Sequence, residues 1–211
     1  MQPKFRKAFE YSDCWVEDAR LVALNARDAA DRGARILTRT RVVRAARVGA
    51  MWQVETEGPE GRAVQFARAL VNAGGPWVAE VIRDVAHIAT ADGVRLVRGS
   101  HIVTRRLYDH DRCYFFQGKD GRIIFAIPYE QDFTLIGTTD KDHKDAPKEA
   151  RCTDEERDYL CAFASKYFAK PVTAADVVWT YSGVRPLYND GSTSATAATR
   201  DYVLRLDPGG A

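Results

Sequence analysis

The sequence has 211 residues, of which 45% are hydrophobic, 10% aromatic and 28% charged, and its formal net charge is +2. This length and apolar content are enough to bury a core, which excludes an intrinsically disordered chain. No run approaches the ~20 consecutive apolar residues of a membrane-spanning helix, which excludes a transmembrane segment. Because the charges nearly cancel, no bulk field would recruit nucleic acid or an acidic membrane. We therefore expect a soluble globular protein.

The termini and the cysteines favour a cytoplasmic location. The basic stretch 1–7 is not followed by the apolar run of a secretory signal. Cys14, Cys113, Cys152 and Cys161 form no C-x-x-C pair, and their spacing suits neither a disulfide framework nor a zinc site. We therefore expect reduced thiols and no bound metal. The sequence ends on turn residues directly after a strand-like run, which favours a piece of a longer protein.

The first part of the chain predicts helices and a β-hairpin. Asp13 resembles a helix N-cap, and Gly33 resembles a C-cap. Helical spacing, β-branched runs and alternation predict these elements: a helix from Cys14 to Asp31, strands at 35–44, 51–56 and 63–71, and a helix at 77–85 opened by Pro76.

The second part predicts mostly strands. The candidate strands are 94–103, 113–116, 122–127, 134–137, 177–184 and 201–206. One helix interrupts them, because Thr153 and Glu156 form a T-x-x-E capping box ahead of apolar residues at i,i+4 spacing. The sequence therefore divides into a helix-and-hairpin part, about 1–77, and a β-rich part, 78–211, with packed helices.

Several common catalytic and cofactor motifs are absent from the sequence, including G-x-G-x-x-G, the Walker loop, H-E-x-x-H and G-x-S-x-G. In their absence, the first candidate for a ligand-binding site is the segment 70–77, where a strand passes through small residues into a helix that starts with proline. Small residues allow a ligand close to the backbone, and a helix start offers free N–H groups. Taken by itself, the segment is better explained as a tight strand–helix turn.

Three polar residues in the β-rich part are further candidates. His101 lies within an apolar strand pattern, where it is either a hydrogen-bonded core residue or a base of tunable pKa. Arg185 follows a strand-like apolar run, and Arg200 lies at the start of the last predicted strand. Two converging guanidinium groups would suit a small phosphate or carboxylate, whereas the alternative is a local salt bridge for each.

A cluster of arginines in the first part of the chain could be interpreted as a nucleic-acid-binding surface. Five arginines lie between Arg35 and Arg47 and alternate with β-branched residues. Single-strand binders place stacking aromatic residues between their basic ones, and none occur in this stretch. We therefore expect no nucleic-acid partner. The role of the turn Gly137–Asp140 stays open.

Seven short motifs, in this order, resemble the aerobic FAD-dependent glycerol-3-phosphate dehydrogenases. They are Tyr11–Trp15, Leu37–Val42, Asn72–Trp77, Gly99–Val103, Ile136–Asp140, Tyr181–Leu187 and Thr199–Tyr202. The sequence is similar to the central portion of those enzymes, without their N-terminal FAD fingerprint, their late glycine-lysine segment or their C-terminal helical domain. The resemblance implies oxidation of glycerol 3-phosphate to dihydroxyacetone phosphate, with hydride passing to FAD and electrons passing to a quinone.

The resemblance also implies roles for particular residues. Arg185 and Arg200 match substrate-contacting arginines, and His101 matches the active-site histidine. These three are the expected catalytic residues, with the arginines aligning the charged substrate and His101 assisting at the C2 hydroxyl.

For the cofactor, Val42 matches a strand position whose backbone meets the FAD adenine. Ala73, Gly74 and Trp77 match the turn beside FAD. Gly74 stands where the family usually has Thr, so only backbone contact is expected at this position.

The resemblance completes the prediction of an α+β fold. We expect 1–77 to be part of an FAD-binding domain that lacks its Rossmann βαβ, and 78–211 to be a mixed or antiparallel substrate-binding sheet with packed helices. The isolated chain should be inactive and should not retain FAD. The complete enzyme would be cytoplasmic and able to associate peripherally with the membrane. Two alternatives stay open: a non-catalytic domain that binds a phosphorylated metabolite or a partner protein, and a related flavin amine or amino-acid oxidase.

Overall fold

The protein forms two compact units. The computed structural model describes residues 1–90, 93–119, 121–195, 197–201 and 203–204. One unit comprises residues 7–71 and 83–88, and the other comprises 1–6, 72–82 and the described residues from 89 onward. The division at residue 77 that we expect from the sequence stays a prediction.

The smaller unit contains one helix and a three-stranded antiparallel sheet. Its elements are α1 (Asp18–Asp31), β1 (Arg41–Val48), β2 (Met51–Gly58) and β3 (Gly61–Ala67), with the strands in the order β1-β2-β3. Gly49 and Gly61 have positive φ angles, which allow the two tight hairpin turns. Ala45 and Trp52 are buried between strand neighbours, and the Arg47 guanidinium lies 4.8 Å from the Trp52 ring.

Several element boundaries in this unit differ from the prediction; for example, β3 ends at Ala67 rather than at residue 71. The helix begins at Asp18 rather than Cys14, because the Asp13 carboxylate accepts a hydrogen bond from the adjacent Cys14 N–H and caps no helical turn. The first strand begins at Arg41 rather than residue 35, because the chain turns at residues 38–39 with Arg39 at a φ of 55°. The turn between Gly58 and Gly61 is confirmed.

A helical segment follows the small residues at 73–75. It starts as a 3-10 turn (Gly75–Trp77), continues as α2 (Val78–Glu80) and ends as a π-helical turn (Val81–Val85). Pro76 lies in the first turn, where its missing N–H costs no hydrogen bond. The predicted helix is therefore present but irregular. Its 3-10 turn contacts the strand Val177–Tyr188 of the larger unit.

The larger unit is built on a six-stranded antiparallel sheet. Its strands are β4 (Val94–Arg105), β5 (Tyr114–Gln117), β6 (Ile123–Tyr129), β7 (Phe133–Gly137), β8 (Lys141–Asp142) and β9 (Val177–Tyr188). The order is β5-β6-β7-β4, with β9 along the other edge of β4 and β8 pairing with the start of β4. The α+β prediction is confirmed, and every pair among the described strands is antiparallel.

Helix α3 (Asp154–Ser165) covers one face of this sheet and closes its core. Both hydrogen bonds of the predicted Thr153–Glu156 capping box are present. The core contains Ile102, Phe116, Ile124, Ala126, Ile136, Leu160, Cys161, Phe163, Ala164, Phe168 and Val172. Ile102 lies on the helix-covered face of β4, so the alternate residues of β4 lie on the other face.

The C-terminal prediction is tested only in part. Tyr202 lies outside the described residues, and so do residues 205 and 206 of the predicted strand 201–206. Residues 201, 203 and 204 are described and are not part of a strand. In the part of the chain that the structure describes, no helix is long and apolar enough to cross a bilayer. All four cysteines are free thiols.

Candidate active site

Strands β4, β7 and β9 bring several residues together on the face opposite α3. His101 is directly opposite Gly137 on β7 and Tyr181 on β9, and Gly99 is opposite Gly183. Directly opposite residues share a face of an antiparallel sheet. Three of these five positions are glycine, so side chains of neighbouring strands can lie close to the backbone on this face.

The imidazole of His101 is fixed by its neighbours on both sides. Its ring stacks on the Tyr181 ring, with centroids 4.9 Å apart and planes 9° apart. On the other side it lies over Gly137, where a Cβ atom would overlap the imidazole. The Tyr181 and Trp179 rings also contact each other, with centroids 5.4 Å apart, which extends the aromatic surface along β9. The ring thus has one defined orientation on this face.

Arg185 lies on the same face of the sheet. Its Nη1 donates to Asp140 Oδ1 at 2.8 Å and its Nη2 donates to Thr138 Oγ1 at 3.3 Å. The guanidinium lies directly over Gly99, where a Cβ atom would come within 2.8 Å of both Nη atoms. Gly99 is therefore the residue that allows Arg185 to lie against the sheet.

Arg200 lies near the other oxygen of the same carboxylate. Its Nη2 lies 3.6 Å from Asp140 Oδ2. The side chain of Asp140 is 19% exposed, whereas those of Arg185 and Arg200 are 36% and 54% exposed. Two guanidinium groups thus share one carboxylate, which leaves one positive charge and several N–H donors for a small anion. The two arginines thus converge on a carboxylate that is distant from both in sequence, whereas the alternative was a salt bridge of each with a local Asp. The binding of substrate by Arg185 and Arg200 stays a prediction.

The segment Asn72–Trp77 is organised by the Asn72 side chain. Asn72 Oδ1 accepts from the Gly74 N–H at 3.2 Å, and Asn72 Nδ2 donates to the Val78 carbonyl at 3.0 Å. Gly75 has a φ of 55°, a conformation that favours glycine. Ala73 and Gly74 leave the backbone accessible, and Trp77 is exposed. The 3-10 turn of this segment contacts β9, so the segment lies in the same unit as the candidate site.

Val42 lies in the other unit. It is an exposed residue of β1, next to the irregularity between Val42 and Arg44 where the register with β2 shifts. A strand irregularity exposes main-chain groups that regular pairing would use. The predicted role of Val42 in cofactor binding stays a prediction.

Sequence reasoning assigned no site role to Thr138, Asp140 or Tyr181. Thr138 and Asp140 lie in the polar run that directly follows the apolar strand β7. This abrupt change from apolar to polar residues was the sequence signal that could have indicated a site there. Tyr181 lies next to the predicted S-G-V-R segment on β9. What the sequence could not reveal was the pairing of these positions with His101 and Arg185.

Comparison with known protein families identifies the class of oxidoreductase to which this chain belongs. The chain belongs to the DAO family of FAD-dependent oxidoreductases, whose family model matches residues 1–205.

Within this family, the chain is similar to two curated proteins and one solved structure. The chain is 45% identical over 210 residues to the glycerol-3-phosphate dehydrogenase of Pseudomonas tolaasii, covering 99% of this chain and 41% of that protein. It is 47% identical over 209 residues to the D-erythritol 1-phosphate dehydrogenase of Brucella abortus, covering 98% of this chain and 42% of that protein. The glycerol-3-phosphate dehydrogenase of Bacillus halodurans, solved with FAD, matches with a TM-score of 0.74 and 30% identity over 83% of this chain and 36% of that one. The chain thus spans about two fifths of the curated relatives.

The residues of the larger unit fit a flat, polar cofactor such as FAD. The turn Ala73–Gly75 has small side chains, so a ligand can reach its backbone. On the strand face, an added Cβ atom would meet nothing within 4 Å at Gly183, whereas Arg185 covers Gly99 and His101 covers Gly137. A group of three or more His, Cys, Asp or Glu residues that could hold a metal ion is not found in the described part of the chain.

Proposed function

We propose that this chain is the substrate-binding part of an FAD-dependent dehydrogenase that oxidises glycerol 3-phosphate to dihydroxyacetone phosphate. The observation that carries the proposal is the convergence of Arg185 and Arg200 on Asp140, on the sheet face that also presents His101. This combines an anion site with a titratable group. The 45% identity to a glycerol-3-phosphate dehydrogenase supports the choice of substrate.

In this proposal the arginines bind the substrate phosphate and fix its orientation. Arg185 is held by Asp140 and Thr138, so its planar fork is already oriented before the substrate arrives. Arg200 is more exposed and adds a second set of donors. Together they align the substrate on the sheet face that presents His101.

His101 then acts at the C2 hydroxyl. Its ring, stacked on Tyr181, takes the hydroxyl proton as a general base or holds it by a hydrogen bond. FAD, when bound, supplies the acceptor for the hydride that leaves C2. Ala73, Gly74 and Trp77 would hold the cofactor on the larger unit, and Val42 would contact it through the backbone of β1.

We further propose a location and an electron acceptor, both supported only by the resemblance to the family. The complete protein would be cytoplasmic, with peripheral association at the membrane, and would pass its electrons to a quinone.

A chimera tests the proposed function. The matching segment of the Pseudomonas tolaasii enzyme is replaced by this chain, and the purified chimera is assayed for reduction of an artificial electron acceptor. We expect bound flavin and turnover that depends on glycerol 3-phosphate, with the unaltered Pseudomonas enzyme as the control. A chimera that retains FAD but does not oxidise glycerol 3-phosphate contradicts the proposal.

The 47% identity to a D-erythritol 1-phosphate dehydrogenase favours a second candidate substrate. The same arginines would bind the phosphate of a four-carbon polyol phosphate. The chimera is therefore assayed with both substrates, and the larger kcat/KM identifies the preferred one.

The alternative of a non-catalytic binding domain is tested with the 211-residue chain itself. Calorimetric titration with glycerol 3-phosphate, in the absence of flavin, would show tight binding if the chain is a binding domain. The dehydrogenase proposal instead requires FAD to complete the site.

A further inference from the structure

Glu156 is a buried carboxylate on the face of the sheet opposite His101. It lies in the first turn of α3 and is 2% exposed. A buried carboxylate is costly unless several donors satisfy it. Its hydrogen-bond partners therefore indicate what this residue holds in place.

The Glu156 carboxylate accepts hydrogen bonds from three different elements. Thr139 Oγ1 donates to Oε1 at 2.7 Å and Ser100 Oγ donates to Oε1 at 3.0 Å. Arg98 Nη2 lies 2.8 Å from Oε2, and Thr153 donates to Oε2 through its N–H at 3.1 Å. The carboxylate thus connects α3 with β4 and with the segment after β7.

Two further hydrogen bonds extend this network to the remaining site strand. Ser100 Oγ and Ser182 Oγ on β9 are 2.7 Å apart. The Ser100 N–H donates to Thr139 Oγ1 at 2.9 Å. One carboxylate and three hydroxyl groups therefore connect all three segments that carry the candidate active site.

Each of these hydroxyl residues is a sequence neighbour of a site residue. Ser100 precedes His101, Ser182 follows Tyr181, and Thr139 lies between Thr138 and Asp140. In a strand, consecutive side chains point to opposite faces. Fixing Ser100 and Ser182 on the helix side therefore fixes His101 and Tyr181 on the site side.

We propose that Glu156 is a positioning residue for the dehydrogenase site, acting through Ser100, Thr139 and Ser182. The inference rests on the proposed function for its catalytic meaning. Its structural part, that Glu156 sets the placement of His101 and Arg185, can be measured without substrate.

The first test uses the 211-residue chain and NMR spectroscopy. Glu156→Gln keeps the size of the side chain but removes the charge that binds Arg98. We expect the His101 ring signals and the Arg185 Nε–H signal to shift, while the amide spectrum stays that of a folded protein. The control is Glu155→Gln, on the exposed side of the same helix. Shifts at His101 and Arg185 no larger than those of the control overturn the inference.

A second pair of variants keeps the test decisive if Glu156→Gln does not fold. Thr139→Val removes one hydroxyl with little change in volume, and Thr139→Ser retains it. We expect Thr139→Val to shift the His101 and Arg185 signals and Thr139→Ser to restore them. Equal spectra for the two Thr139 variants overturn the inference.

The catalytic part is measured in the chimera. We expect Glu156→Gln to lower kcat on the order of 10- to 100-fold, with a smaller change in KM, because the substrate still binds but is misaligned. An active chimera whose kcat is unchanged by Glu156→Gln overturns the positioning role. A chimera that is inactive with Glu156 intact instead contradicts the proposed function, and the NMR result stands independently.

Discussion

At the scale of single residues, the candidate site depends on positions that carry no side chain. Gly137 lies under the His101 ring and Gly99 lies under the Arg185 guanidinium, and at both positions a Cβ atom would overlap or crowd the functional group. Gly183 lies on the same face, yet a Cβ atom there would meet nothing within 4 Å. The three glycines therefore differ in what they do, although all three lie in strands of the same sheet.

Gly137→Ala is expected to displace His101 from its stack on Tyr181. The added methyl group requires the ring or the strand to move, at a cost of about 1–3 kcal/mol in the free energy of unfolding. Urea unfolding and the His101 ring signals in NMR spectra measure both effects. Gly183→Ala is the matched control and should change neither. Unaltered His101 signals in Gly137→Ala would contradict the site geometry.

Glu156 is expected to make stability depend on pH on the acidic side. Burial alone would raise the pKa of Glu156, but hydrogen bonds from Thr139, Thr153, Ser100 and Arg98 outweigh burial and hold the pKa below its usual value. A lowered folded-state pKa contributes stability above the unfolded-state value of about 4.3, and this contribution is lost as the pH falls through the folded-state pKa.

The measurement is the urea midpoint as a function of pH. We expect the midpoint to fall below about pH 4.3 in the unaltered chain and to fall less steeply in Glu156→Gln. Glu155→Gln should keep the slope of the unaltered chain. Identical slopes for Glu156→Gln and the unaltered chain would contradict the assigned direction of the pKa shift.

At the scale of elements, the sequence is most informative where the determinants are local. The capping box of α3 and the hairpin turn at Gly58–Gly61 are both confirmed, because each depends on residues within four positions. The starts of α1 and β1 were predicted too early, because side-chain hydrogen bonds and turns near Asp13 and Arg39 compete with the periodic pattern.

The candidate site depends on pairings that no local pattern contains. Asp140 and Arg185 are 45 residues apart in sequence, and Ser100 and Glu156 are 56 residues apart. Their contacts follow from the register of β4 with β7 and β9, which the apolar alternation of each strand alone does not fix. The residue pattern and the resemblance to known dehydrogenases both indicated Arg185, Arg200 and His101, whereas the site roles of Asp140 and Glu156 emerged only from the geometry.

Thr153→Ala is expected to weaken α3 and the sheet that it covers. The substitution removes the cap of the first helical turn and one donor to Glu156, so we expect a loss of about 1 kcal/mol in the free energy of unfolding. Urea unfolding measures the loss. Thr193→Ala, at an exposed loop position, is the control. Equal stabilities of the two variants would show that the capping box does not stabilise α3.

At the scale of the whole molecule, the described strands form two sheets, of three and six strands. All pairs among the described strands are antiparallel, and the sequence has no G-x-G-x-x-G motif. The backbone N–H groups that usually bind the FAD pyrophosphate are therefore not supplied by that motif. The cofactor contacts that we propose are those of Ala73, Gly74 and Trp77 and that of Val42.

We expect the 211-residue chain, purified by itself, to carry no flavin and to show no dehydrogenase activity. Visible absorbance after desalting measures the bound flavin, and the chimera with the Pseudomonas tolaasii enzyme serves as the flavin-containing control. Flavin that remains with the chain through desalting would contradict this expectation.

The most direct test of the proposed site is the kcat/KM of the chimera for glycerol 3-phosphate after Arg185→Gln. This change removes the charge that Asp140 and Thr138 orient, so we predict a loss of about 100-fold. Arg157→Gln, which breaks only surface ion pairs on α3, should stay within about threefold of the unaltered chimera. An Arg185→Gln chimera that is folded, binds FAD and keeps the kcat/KM of the Arg157→Gln control would contradict the assignment of this sheet face as the substrate site.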